Sequence, residues 1–200
     1  MFSILKKEFN SYLNSLIAYI VISVFLVGIG MFMWVFPNSN VLDYGFADMS
    51  TLFNMSPYVF LFLIPAITMR SFAEEKKAGT LELLFTQPIT DFQIILGKYF
   101  ASLLLVLFAL LPTLLYYYSV YQLGSPKGNI DSAGVFGSYI GLIMLAAVFT
   151  AIGIFASAIT ENQIVAFIVA IFLCFIIFTG FSSLSTLAFW GQSADLINSF

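Results

Sequence analysis

Apolar residues dominate this 200-residue chain in blocks of about twenty, separated by short polar interruptions rather than arranged in narrow stripes. A helix rises about 1.5 Å per residue, so a block of that length crosses a hydrocarbon layer ~30 Å thick. Continuous runs such as Leu16 to Val35 lack the in-out alternation of a membrane-spanning strand. The pattern therefore predicts an all-α, polytopic transmembrane helical bundle in a single domain over residues 1–200. About five spans are expected, over residues 16–35, 52–73, 98–118, 135–159 and 164–181. Ahead of them, residues 2–13 place Phe2, Leu5, Phe9 and Leu13 at three- and four-residue spacing around Lys6 and Lys7. That spacing suits an N-terminal interfacial amphipathic helix, the alternative being a plain extension of the first span.

The breakers refine these limits. Trp34 and Phe36 anchor the end of span one and Pro37-Asn38 stops it. In span two, Ser56-Pro57 could open a helix, but the apolar run from there reaches only Met69 before Arg70, too short to cross. The helix is expected to begin near Leu52, bend at Pro57 and Pro65, and continue through Ser71-Phe72-Ala73 with Arg70 reaching toward the headgroups. Pro112 predicts a kink in span three, and Tyr116, Tyr117, Tyr118 and Tyr121 an aromatic belt at its far end. Span four carries small residues four apart, Gly137 with Gly141, Ala147 with Ala151, and Gly153 with Ser157, which predicts close packing against other helices. Thr160-Glu161-Asn162-Gln163 reads as a capping box with almost no loop, hence a tight hairpin into span five. Residues 182–200 form an outer segment of moderate hydrophobicity, and the stop at Asn198-Ser199-Phe200 leads to the expectation that a further span follows.

Composition agrees with lipid as the solvent: 61% of residues are hydrophobic and 8% charged, against roughly 25% charged in a soluble domain. The few charges are concentrated. Between Arg70 and Lys98 lie Arg70, Glu74, Glu75, Lys76, Lys77, Glu82, Asp91 and Lys98. Six of the seven Lys and Arg residues, all but Lys127, fall on one predicted side, which the positive-inside rule makes cytoplasmic together with the N-terminus. Within the charged segment Gly79 can end the helix leaving span two, and Thr80 can cap a short new one with Glu82 in its first turn. Pro88 ends that piece, and Thr90-Asp91-Phe92-Gln93 starts the next helix at Asp91 as a capping box.

Several function classes are excluded by what is missing. The chain has no histidine, and its single cysteine, Cys174, lies inside an apolar run, so no disulfide within the chain can form and no metal site is expected. No catalytic pair of carboxylates shares the interior of a span, and no cofactor is expected. Gly97-Lys98-Tyr99 is not the end of a phosphate-binding loop, since Phe92 stands where an earlier glycine belongs and no Ser or Thr follows the lysine. There is no basic patch for nucleic acid. The first span lacks a small-residue cleavage site, with Met33, Trp34, Val35 and Phe36 at its end, so it is read as retained. Arg70 and Glu161 sit near span ends rather than at mid-membrane, so the free energy for any vectorial work is expected to come from a partner.

The run from Arg70 to Ile89, with Glu74-Glu75, Gly79-Thr80-Leu81-Glu82-Leu83-Leu84 and Pro88, followed by Gly97-Lys98, resembles the first intracellular loop of type-2 ABC exporter permeases. Trp34-Val35-Phe36-Pro37, Leu42-Asp43-Tyr44-Gly45 and Phe62 to Arg70 more narrowly resemble the gliding-motility-associated permeases of Bacteroidetes. The resemblance implies a six-span fold in a bacterial inner membrane. It further implies pairing with an ABC ATP-binding subunit that hydrolyses ATP, and with a second permease, identical or not. The coupling residues it implies are Glu74, Glu75, Gly79, Thr80, Glu82, Leu83, Leu84 and Pro88, with Thr160, Glu161, Asn162 and Gln163 as a second cytoplasmic turn. A short amphipathic piece there could seat Leu81, Leu83, Leu84 and Phe85 in a partner's groove while Glu74, Glu75 and Glu82 meet basic residues. The competing readings are a solvated loop that only sets topology, and a membrane anchor or scaffold for a cytoplasmic complex with no transport cycle.

Overall fold

A computed structural model describes residues 2–37, 39–43, 47–81 and 90–186. Among these the regular elements are all helices: α1 Phe2–Leu13, α2 Leu16–Trp34, α3 Ser50–Thr68, α4 Ala73–Lys77, α5 Asp91–Leu110, α6 Thr113–Leu123, α7 Ser132–Ile159 and α8 Gln163–Thr186. Four stretches are long and apolar enough to cross a membrane: Ser50–Lys77, Asp91–Leu123, Ser132–Ile159 and Gln163–Gly180. The α1–α2 pair, bent by 67° between its helices, makes a fifth candidate. The result is an all-α polytopic bundle. Its outward faces carry Val24, Phe62, Met144, Phe155, Ile168 and Phe172, all exposed, where a water-facing surface would place charge.

Sequence chemistry accounts for most helix ends. The Asp48 carboxylate accepts the N–H groups of Met49 (2.7 Å) and Ser50 (3.1 Å) ahead of α3, and Asp131 accepts that of Gly134 (3.1 Å) at the start of α7. Helix α3 starts at Ser50, two residues earlier than expected, and runs through both Pro57 and Pro65. It does not run unbroken to residue 73. The chain turns at residues 69–72 and restarts as α4, for a tertiary reason described below. Pro112, which cannot donate to the ladder, separates α5 from α6 at the expected place. At the α7–α8 hairpin the cap is not Thr160. Asn162 Oδ1 accepts the Ile164 N–H (2.9 Å), because α8 begins only at Gln163 and Asn162 stands directly before it.

Helix α7 is the centre of the bundle, in contact with α3, α5 and α8. Its contact face runs along Ala146, Thr150, Gly153 and Ser157, all buried, at three- and four-residue spacing. The closest approach is at Gly153, where an added Cβ would lie 2.1 Å from Thr68 Oγ1 and 2.9 Å from Thr68 Cβ. Gly137 and Gly141 are exposed with nothing within 4 Å of an added Cβ, Ala147 is half-buried and Ala151 exposed, so they make no close helix approach within this chain. At ~100° per residue they lie off the Gly153 face. Phe25 of α2 stacks on Phe60 of α3 (5.6 Å between rings), and both are fully buried. Tyr116 is tied into the fold, its hydroxyl donating to Leu26 O (2.9 Å) and pressing against Gly30.

Candidate functional site: the basic end of the bundle

Helices α1 and α4, the foot of α5, and the α7–α8 turn converge at one end of the bundle. It carries Lys6, Lys7, Arg70, Lys76, Lys77 and Lys98. The root of the charged segment, residues 69–77, is held there by side chains from two other helices. Ser157 of α7 donates to Met69 O (3.0 Å) and accepts the N–H groups of Phe72 (2.9 Å) and Ala73 (3.1 Å). One hydroxyl thus satisfies the backbone groups freed where α3 stops, and so permits the break before α4. Lys76 Nζ donates to Ala158 O at the end of the same helix.

From α5, Lys98 enters the cluster almost fully buried, with 1% of its side chain exposed. Its Nζ donates to Ser71 O (2.7 Å) and pairs with Glu75 Oε1 (2.9 Å) and Glu8 Oε1 (3.2 Å). An ammonium has three N–H donors, and each has an acceptor here. The Phe72 ring lies 5.0 Å away, a further favourable contact for the cation. Glu8 arrives on α1, which packs along α5 because Gly97 leaves room: a Cβ there would come within 2.9 Å of Ile4 Cγ2. The buried position on α1 is Ile4, while Phe2 is exposed, so the face that meets α5 is rotated from the stripe begun at Phe2. Arg70 grips Glu74 through Nε (2.8 Å) and Nη2 (3.1 Å) and reaches Ser15 with Nη1 (3.2 Å), linking α4 to the α1–α2 corner.

The expected site residues fall as follows. Glu74 and Glu75 are engaged inside the chain, by Arg70 and Lys98. Gly79 ends α4 with a positive φ of 67°, and the bonds Thr80 N–H to Glu75 O (3.0 Å) and Gly79 N–H to Lys76 O (3.1 Å) form a Schellman motif. The Thr80 hydroxyl donates back to Glu75 O (3.3 Å). Glu82, Leu83, Leu84 and Pro88 lie outside the described residues. Thr160, Glu161, Asn162 and Gln163 form the α7–α8 turn at the same end, Glu161 and Asn162 exposed. An apolar cavity of about 600 Å³, lined by Phe72, Leu81, Ile94, Tyr99, Ile154 and Phe155 among others, lies between the segment and the feet of α5 and α7. Phe72 packs with Ile94 and Ile154 beside the cavity, and the polar ties add to that apolar contact. Sequence reasoning placed Ser157 only in a helix-packing pair with Gly153 and Lys98 only in the Gly97-Lys98 pair of the resemblance, and it gave Glu8 no role. The available signal was a lysine seven residues into the otherwise apolar α5 helix, which requires a buried partner.

Fold and site together define a multi-pass helical membrane protein whose ionic contacts, among the described residues, gather at one end. The sequence model of the ABC-2 family transporter proteins matches residues 2–195, and the chain belongs to that family. It is therefore a membrane permease subunit of an ABC transporter. No curated protein and no solved structure matches it.

Proposed function

We propose that this chain couples the ATP hydrolysis of a separate ATP-binding subunit to transport or mechanical work, the partner engaging residues 70–98 at the basic end. That end and the N-terminus face the cytoplasm of a bacterial inner membrane. The observation that carries the reading is the anchoring of residues 69–77 by Lys98 and Ser157, side chains of two different spans. A segment that only set topology would need its charges in water. Here Glu75 and Lys98 are drawn inward and bound to the bundle, which gives any movement of the segment a route into α5 and α7. Contact with the partner falls to Thr80, Glu82, Leu83, Leu84 and Pro88, with Thr160 to Gln163 beside them, while Glu74 and Glu75 hold the segment to its own chain. A second permease copy or relative completes the transporter, and the resemblance of residues 34–37, 42–45 and 62–70 supports a role in gliding motility.

Co-purification of the ATP-binding subunit with Glu82→Arg and Leu84→Asp variants tests the reading. Loss of recovery in both is expected, and full recovery in both refutes the contact. A strain whose ATP-binding subunit cannot hydrolyse ATP but glides normally would instead identify the chain as an anchor.

A further inference from the structure

We infer that Lys98 is a positioning residue that makes the N-terminal helix and the charged segment a single moving part; the inference rests on the coupling role proposed above. Its ammonium is shared by acceptors from three places in the chain: Glu8 on α1, Ser71 O in the turn before α4, and Glu75 on α4. All three donors are used, and 1% of the side chain is exposed, so water does not replace a lost contact without the site opening. If α4 shifts and draws Glu75 and Ser71 O away, Lys98 keeps only Glu8 as an acceptor; if α1 shifts, it loses Glu8. Either movement alone breaks a charge-assisted hydrogen bond at an ammonium closed to water, so the arrangement favours α1 and α4 moving together about α5. Gly97, the residue before Lys98, fixes the short α1–α5 separation that brings Glu8 within reach. Arg70 adds a second, more exposed link, joining Glu74 of α4 to Ser15 at the α1–α2 corner. The fold therefore delivers a push on the charged segment to the N-terminal helix as well as to the spans.

A buried ion triad is a poor way to gain stability, since apolar side chains of the same shape hold such a site equally well or better. This gives the test its leverage. The permease is reconstituted in lipid nanodiscs with its ATP-binding subunit, and three quantities are read: subunit binding, thermal stability, and permease-dependent stimulation of ATP hydrolysis. Glu8→Gln leaves the neutral Lys98–Glu75 pair and folds. The triple variant Glu8→Gln, Glu75→Gln, Lys98→Met removes every charge of the triad while keeping its shape. Both are expected to bind the subunit and to melt cooperatively but to lose stimulation, whereas Lys98→Arg, which keeps the cation, retains it. Wild-type stimulation in Glu8→Gln overturns the inference and leaves the coupling reading intact. Failure of the wild-type chain to bind or stimulate the subunit overturns the coupling reading itself.

Discussion

Gly153→Ala is the sharpest test of the packing. The new Cβ would sit 2.1 Å from Thr68 Oγ1 and 2.9 Å from Thr68 Cβ, where ordinary contact begins at 3.4 Å. Thr68 cannot swing aside freely, because its hydroxyl donates to Ile64 O (2.9 Å) and its side chain is fully buried. Helices α3 and α7 must then separate by about 1 Å along their contact, and overpacking of this kind costs about 1–3 kcal/mol. Replacing glycine in a helix returns about 0.5–1 kcal/mol, so the net loss runs up to about 2.5 kcal/mol, with a middle value on the order of 1 kcal/mol. Gly137→Ala on the same helix is the control. Nothing lies within 4 Å of its new Cβ, and only the gain remains. Thermal unfolding of the isolated chain in detergent should therefore move in opposite directions for the two variants. A Gly153→Ala protein as stable as the wild type, or no difference between the two, would sink the close-approach reading.

Other outcomes follow from the same geometry. Gly137→Leu and Gly141→Leu, which should not destabilise the isolated chain, should weaken chain–chain association measured by crosslinking in membranes if that exposed face serves a second permease. Ser157→Ala strips buried partners from Met69 O, Phe72 N–H and Ala73 N–H, at about 1–3 kcal/mol, and faster hydrogen exchange confined to residues 69–77 would report it. Gly79→Val forces a branched residue to φ 67°, costing at least about 1–2 kcal/mol locally, so proteolysis after Lys77 should accelerate while the spans remain protected.

Much of this architecture is legible without coordinates because it depends on local rules. The lipid environment makes twenty-residue apolar blocks into helices wherever they occur, since no backbone group can be left unpaired there. Pro112, Gly79 and the polar Thr160 to Gln163 turn act on their immediate neighbours, and their places were readable for that reason. The caps were less so. Ser, Thr, Asp and Asn all compete for the same N–H groups, and it took the actual path of the chain to bring Asp48 to the Ser50 N–H ahead of α3 and Asn162 to the Ile164 N–H of α8.

The residues that tie the site together were not legible, because their partners are far away along the chain. Lys98 meets Glu8 across 90 positions, and Ser157 meets Phe72 across 85. Small-residue spacing was equally ambiguous: three pairs on span four satisfy it, and only the pair Gly153 and Ser157 turns toward α3. By itself the sequence determined that this chain lives in a membrane as an all-helical bundle, and on which end its charge collects. Periodicity and solvent preference are properties of short segments, and they needed nothing more. Only the tertiary structure decided which glycine is pressed against a neighbour and which carboxylates are consumed within the chain. It alone showed that one buried lysine binds the N-terminal helix to the charged segment, since each of these depends on how separately formed helices are rotated and docked.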